Sequence, residues 1–175
     1  MANKRSVTRT IPPAVQAWRW MSVLHARIID QLETDSLAAG VVPFSWFEVL
    51  TALEAAPENR VRLKELVDAV LLTKAGVSRL LDRIEAGGLL RRQACAGDGR
   101  GSDAVLTQAG VTALRLARPV YVKTIERHFG QHLTTTQTDA ITRLFREILA
   151  ANDWLPDVRP VPVTIGKRGV AAPSA

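Results

Sequence analysis

At Gly87-Gly88 the periodicity of this chain changes, and few folds accommodate the change. Upstream, Val77, Leu80, Leu81 and Ile84 recur at the spacing of one helix face. Downstream, residues 89–93 and 103–106 read as two short strands. The stretch 94–102 between them holds Gly97, Gly99 and Gly101, which suits a flexible hairpin loop. A glycine pair that stops a helix just before a hairpin sets that helix beside a small sheet.

The remainder reads as helix. Pro12-Pro13 opens a first helix to about residue 33, with Trp18, Met21, His25, Ile28, Ile29 and Leu32 on one face. Trp20, Val23 and Arg27 project to another side, and a helix apolar on two sides contacts two bodies. Gly40 and Pro43 mark a loop. Ser45 is the expected cap of a second helix carrying Trp46, Val49, Leu50 and Leu53, and Pro57 follows its end. A short third helix spans about 63–70, and a fourth runs from a Thr73 cap to Ala86. Thr107 caps a long fifth helix to about residue 132, with Pro119 as a candidate kink. Thr134 and Gln137 form a capping box for a last helix with Ile141, Leu144, Phe145, Ile148 and Leu149 on one face. The expected fold is mainly α with a small β-hairpin wing: a winged helix-turn-helix plus a helical dimerisation layer. The reading divides the chain into a basic arm (1–12), a main domain (13–152) and an extended or disordered tail (153–175). Within the domain, about 43–106 forms the DNA-binding lobe, and about 13–34 and 107–152 form the dimerisation helices.

Charge placement narrows the function. Of a net charge of +6, residues 13–59 hold two basic and six acidic side chains, whereas 60–100 hold nine basic and five acidic. A basic patch in the middle of the chain suits a polyanion, nucleic acid before membrane, although chance clustering on a solvated surface gives the same count. No apolar run approaches the ~18 residues of a membrane span, and no apolar core follows the basic N-terminus as in a secretory signal. The single cysteine, Cys95, excludes an intrachain disulfide and fits a reducing, cytoplasmic setting. It lies beside Arg91 and Arg92, cations that can lower a thiol pKa, but nothing else points to redox sensing. Catalysis has little support: the three histidines, His25, His128 and His132, build no triad. His128 and His132 have zinc-compatible spacing but no further ligand nearby in sequence. No enzyme activity, cofactor or metal is expected.

On the fourth helix, Ala75, Arg79, Asp82 and Ala86 oppose the apolar arc, Ser78 and Arg83 flank that exposed side, and Lys74 sits at the N-terminal end. A recognition helix needs this division, with small residues and donors for the major groove. An ordinary amphipathic surface helix shares it. The segment from Leu72 to Arg92, followed by Asp98-Gly99-Arg100-Gly101 and then Leu106-Thr107-Gln108-Ala109-Gly110, closely resembles the multiple-antibiotic-resistance regulator (MarR) family. Three motifs in the right order, over about 62–114, carry the resemblance; the flanking helices match only in length, spacing and apolar pattern. Gly99 and Gly101 depart from the further charge that members often have there.

The resemblance implies a homodimeric, sequence-specific regulator of double-stranded DNA, acting on a pseudo-palindromic operator as a ligand-responsive repressor. Ser78 and Arg79 would enter the major groove, Lys74 would lie near phosphates, Arg100 would be the minor-groove residue of the wing, and Asp98 would orient it. Arg83 joins them as a candidate contact. A cation on a glycine-flexible hairpin independently suits a narrow, electronegative minor groove. The resemblance also implies a small aromatic acid effector, with Trp18, Trp20, His25, Arg27 and Trp46 as the candidate pocket; aromatic core packing is the competing reading. A winged-helix protein-interaction module without specific DNA binding is the alternative for the whole chain.

Overall fold

The structure, a computed structural model, describes residues 11–69, 74–94 and 102–154. It comprises α1 (Pro13–Ala38), α2 (Phe44–Ala55), β1 (Arg60–Arg62), α3 (Leu63–Ala69), α4 (Lys74–Ala86), β2 (Leu90–Ala94), β3 (Ser102–Leu106), α5 (Gln108–His128) and α6 (Thr135–Ala151). Short 3-10 turns occupy Pro57–Asn59 and Gly130–His132. The expectations for Thr73, Cys95, Asp98, Arg100, the 1–10 part of the arm and the tail beyond Trp154 lie outside the described residues, as does the side chain of Lys74.

The three strands form an antiparallel sheet in the order β1-β3-β2. β1 was not expected. It pairs Arg60 with Val105, Val61 with Ala104 and Arg62 with Asp103, while β2 pairs Leu90 with Leu106 and Arg92 with Ala104. Partners across a strand pair share a face, so Leu90, Ala104 and Leu106 point together into the core. That core is built around Leu50, Leu53, Leu66, Val77, Ile84, Leu90 and Leu114, all buried.

Two chain reversals hold this lobe together. Gly88 takes a φ of +71°, which a side chain would disfavour, and so turns α4 into β2. Thr107 caps α5 as expected: its Oγ1 accepts from the Gly110 N–H at 3.0 Å and donates to the Gly88 carbonyl at 2.7 Å. A Cβ on Gly110 would strike the Leu89 carbonyl oxygen and come within 2.6 Å of Leu106 Cδ1. The first turn of α5 therefore lies directly on the exit from α4.

Several expectations need correction. α1 continues to Ala38, past the expected end near residue 33. Its last turns are tied to α5, because Asp35 accepts a hydrogen bond from Thr124 Oγ1 at 2.6 Å; Gln31 Nε2, one turn earlier in α1, donates to the same carboxylate at 2.8 Å. Those bonds hold the Asp35 carboxyl below the usual carboxylate range, the Thr124 bond most strongly. Ser45 is not the cap of α2, which begins at Phe44 after Pro43. The Glu33 carboxylate instead accepts from the Phe44 and Ser45 N–H groups, each at 3.1 Å. An acid from α1 thus satisfies the open N-terminus of α2. α5 stays helical through Pro119 and ends at His128, where non-helical Phe129 leads into the Gly130–His132 turn. The capping box at α6 forms as expected, with the Thr134 N–H donating to Gln137 Oε1 at 2.9 Å.

Candidate nucleic-acid interface

α4 divides as the helical spacing predicts. Val77, Leu80, Leu81 and Ile84 are buried, whereas Ser78, Arg79, Asp82 and Arg83 are exposed. Among the described residues, Arg79 has no ion-pair partner within 4.0 Å, so its guanidinium is presented to solvent. Arg83 instead turns back over α2, with its guanidinium carbon 5.8 Å from the centre of the Trp46 ring. That cation–π contact packs Arg83 against the lobe.

The sheet adds cations that sequence reasoning did not assign. Arg60 and Arg91 flank Val105 on the outer face, and Arg62 and Gln93 flank Asp103 on the same face. Asp103 is largely buried there, with Arg60 at 4.0 Å. The pattern was hidden because β1 pairs with a strand some forty residues away, and its three residues carry no turn signature of their own.

The residues expected to bound an effector pocket are not gathered within one chain. Trp18 and Trp20 are 63% and 67% exposed on the N-terminal half of α1, and His25 and Arg27 are exposed as well. Trp46 packs in the lobe beside Gly87 and Arg83. Glu33 marks where α1 meets the start of α2, and fifteen residues of helix set Trp18 roughly 22 Å up the axis from it. Arg27 alone of the five lines the cleft of about 350 Å³ between α1 and α5, with Leu24, Ile28, Asp30, Gln31, Thr34 and His128. Arg27 also lies 3.8 Å from Asp30. A helical pattern assigns side chains to faces but not to the height at which two helices touch.

The apolar stripe expected on α6 is present and uncovered: Leu144, Phe145 and Ile148 are exposed, as are Val15, Val23 and Leu24 on α1. No helix among the described residues is long and apolar enough to cross a membrane, and no group of three potential metal ligands occurs among them.

Residues 42–101 match the sequence model of the MarR family. No curated protein matches the chain. Among solved structures, AbsC, a MarR family transcriptional regulator from Streptomyces coelicolor, is 28% identical with a TM-score of 0.72, covering 85% of this chain and 100% of its own. A second MarR family regulator from that organism, solved in complex with DNA, is 26% identical with a TM-score of 0.72, covering 82% and 90%. MarR from E. coli shares the fold at 18% identity and a TM-score of 0.63, covering 80% of this chain and 98% of its own. Sequence model and fold agree: residues 42–101 carry the sequence pattern of the MarR family, and the chain has the winged-helix fold of the MarR family transcriptional regulators it is similar to.

Proposed function

We propose that the protein binds a pseudo-palindromic double-stranded DNA operator as a homodimer and represses transcription from it. One observation carries the reading: α4 anchors itself through one buried arc and offers Ser78 and Arg79 on the opposite side, in a lobe of the family's sequence. Arg79 suits bidentate bonding to guanine, and Ser78 suits a base edge or a phosphate. Lys74, at the start of α4, is assigned to phosphates, and Arg100 to the minor groove with Asp98 orienting it. Arg83, held over Trp46, is assigned to the DNA backbone rather than to bases.

The dimer follows from the uncovered apolar faces of α1 and α6, which a second copy would bury about a two-fold axis. Two recognition helices would then read half-sites about one helical turn, roughly 10 bp, apart. A small aromatic acid is the proposed class of effector. Its site would draw on both subunits, because the helix rise sets Trp18 roughly 22 Å along α1 from its contact with the start of α2, the helix that carries Trp46. Such a ligand releases DNA only by binding one spacing of the two lobes better than the other.

The test is a gel shift on DNA upstream of the protein's own gene, at two salt concentrations. Binding should weaken with salt, and Arg100→Ala should reduce the salt slope by about 1 on every sequence. Arg79→Ala should cost about 1–3 kcal/mol and relax the preference at one base pair. Equal losses on all sequences for both variants would contradict the groove assignments. Absence of any shift would favour the protein-interaction alternative.

A further inference from the structure

Arg92 stands on the core-facing side of β2, in register with buried Ala104, where its neighbours Leu90 and Leu106 are apolar. A cation in that row needs partners, and it finds them on α4. Its Nη2 donates to Asp82 Oδ1 at 2.6 Å, and its Nη1 lies 3.0 Å from Glu85 Oε2. Its backbone N–H donates to the other oxygen, Glu85 Oε1, at 2.7 Å. Both Glu85 oxygens and one Asp82 oxygen therefore converge on one residue of β2.

We propose that Arg92 is the positioning residue that locks the recognition helix to the base of the wing, so that both DNA grooves are read by one rigid unit. The inference rests on the DNA-binding reading above. Its physical basis is the difference between the two kinds of contact that α4 makes. Val77, Leu80, Leu81 and Ile84 hold the helix by burial, which fixes its depth but resists a small roll or slide weakly, because apolar contact has no direction. A charge-assisted hydrogen bond is directional: the guanidinium donates one to Asp82, and Glu85, one helical turn on, pairs with the same guanidinium and accepts from the Arg92 backbone N–H. β2 is an edge strand, and Glu85 occupies an N–H that its ladder leaves open. Arg92 also offsets part of the negative charge of Asp82 and Glu85, which would otherwise oppose phosphates beside Arg79.

The experiment compares Arg92→Met, which keeps an apolar stem, with the unaltered protein in two readouts. Without DNA, nitroxide labels at Ser78 and Gln93 in a Cys95→Ser background report the distance between α4 and β2. The distribution should be narrow in the parent and broad in Arg92→Met, with Arg92→Lys between them. With the upstream duplex, Arg100→Ala should cost about tenfold in affinity in the parent but only about twofold in Arg92→Met, because β2 is no longer held in one orientation against α4. A distribution as narrow in Arg92→Met as in the parent, or an undiminished Arg100→Ala penalty, overturns the proposal. If the parent binds no DNA, the function above fails, and the distance measurement alone decides the lock. If Arg92→Met does not fold, the pair Asp82→Ala and Glu85→Ala removes the same partners and is judged by the same outcomes.

Discussion

The lobe from α2 to β3 and the outer helices treat their apolar residues in opposite ways. In the lobe, Leu50, Leu53, Leu66, Ile84 and Leu90 are essentially sealed from water by the chain itself. On α6 none of the described residues is buried, and on α1 burial begins only toward its C-terminal half. Apolar surface left exposed on two helices of one chain calls for a second body, whereas the lobe needs none. The division matches the roles proposed: a reader of DNA whose core is closed within one chain, with Leu114 of α5 completing it, and a scaffold completed only by assembly.

The two regions should respond most differently when each is damaged and the protein concentration is varied. Leu50→Ala should lower unfolding stability by about 2–5 kcal/mol at every concentration, because it opens a cavity in a closed core. Phe145→Asp should leave no cavity and should act through assembly alone. Its stability deficit should shrink on dilution, where the parent dissociates too. Chemical denaturation over a hundredfold concentration range separates the two; a concentration-independent loss for Phe145→Asp would place α6 in the monomer core.

A smaller effect is expected at the junction of α4, β2 and α5. Gly110→Ala sets a methyl against the Leu89 carbonyl and Leu106, and should cost about 1–3 kcal/mol in thermal or denaturant unfolding. A neutral result would mean that α5 stands further from the α4 exit than described. Smaller still is the cap. Glu33→Ala removes the acceptor for two N–H groups at the start of α2 and should cost about 0.5–2 kcal/mol. Ser45→Ala should change stability far less, because the backbone N–H of Ser45, not its side chain, makes the bond.

These cases show where sequence was sufficient. Thr107, the Thr134–Gln137 box and the glycine stop act within a few residues of themselves, so their chemistry is written locally. The buried arc of α4 was legible for the same reason. Glu33 capping α2, Asp35 holding Thr124 and Arg92 reaching Asp82 and Glu85 are agreements between separate elements. β1 is similar: Arg60-Val61-Arg62 becomes a strand only because β3 lies beside it. The candidate DNA face was readable because it sits on one helix. The candidate effector residues were drawn from two helices whose relative height the sequence did not contain.

The subtlest prediction tests the contact between lobe and scaffold. Tyr121 of α5 stacks on Phe47 at 4.8 Å between ring centres and on Phe44 at 5.9 Å. Glu48 is half-buried beside this cluster, and its burial pushes the carboxyl pKa up. Burial together with Glu48 also pushes Tyr121 up. A carboxyl raised on folding binds more protons in the folded state, so its penalty appears as pH rises from the ordinary carboxylate value through the folded one. Glu48→Gln should therefore raise the melting temperature at pH 7 and leave it almost unchanged at pH 4. A larger gain at pH 4 than at pH 7 would reverse the assigned cause.

The exposed apolar faces of α1 and α6 are proposed as one half of an interface between copies of this chain. Sedimentation velocity of the full protein at micromolar concentration tests it directly. One species at twice the 19.1 kDa chain mass is expected, converted to the single-chain mass by Phe145→Asp. A stable single-chain species in the unaltered protein at that concentration would contradict it.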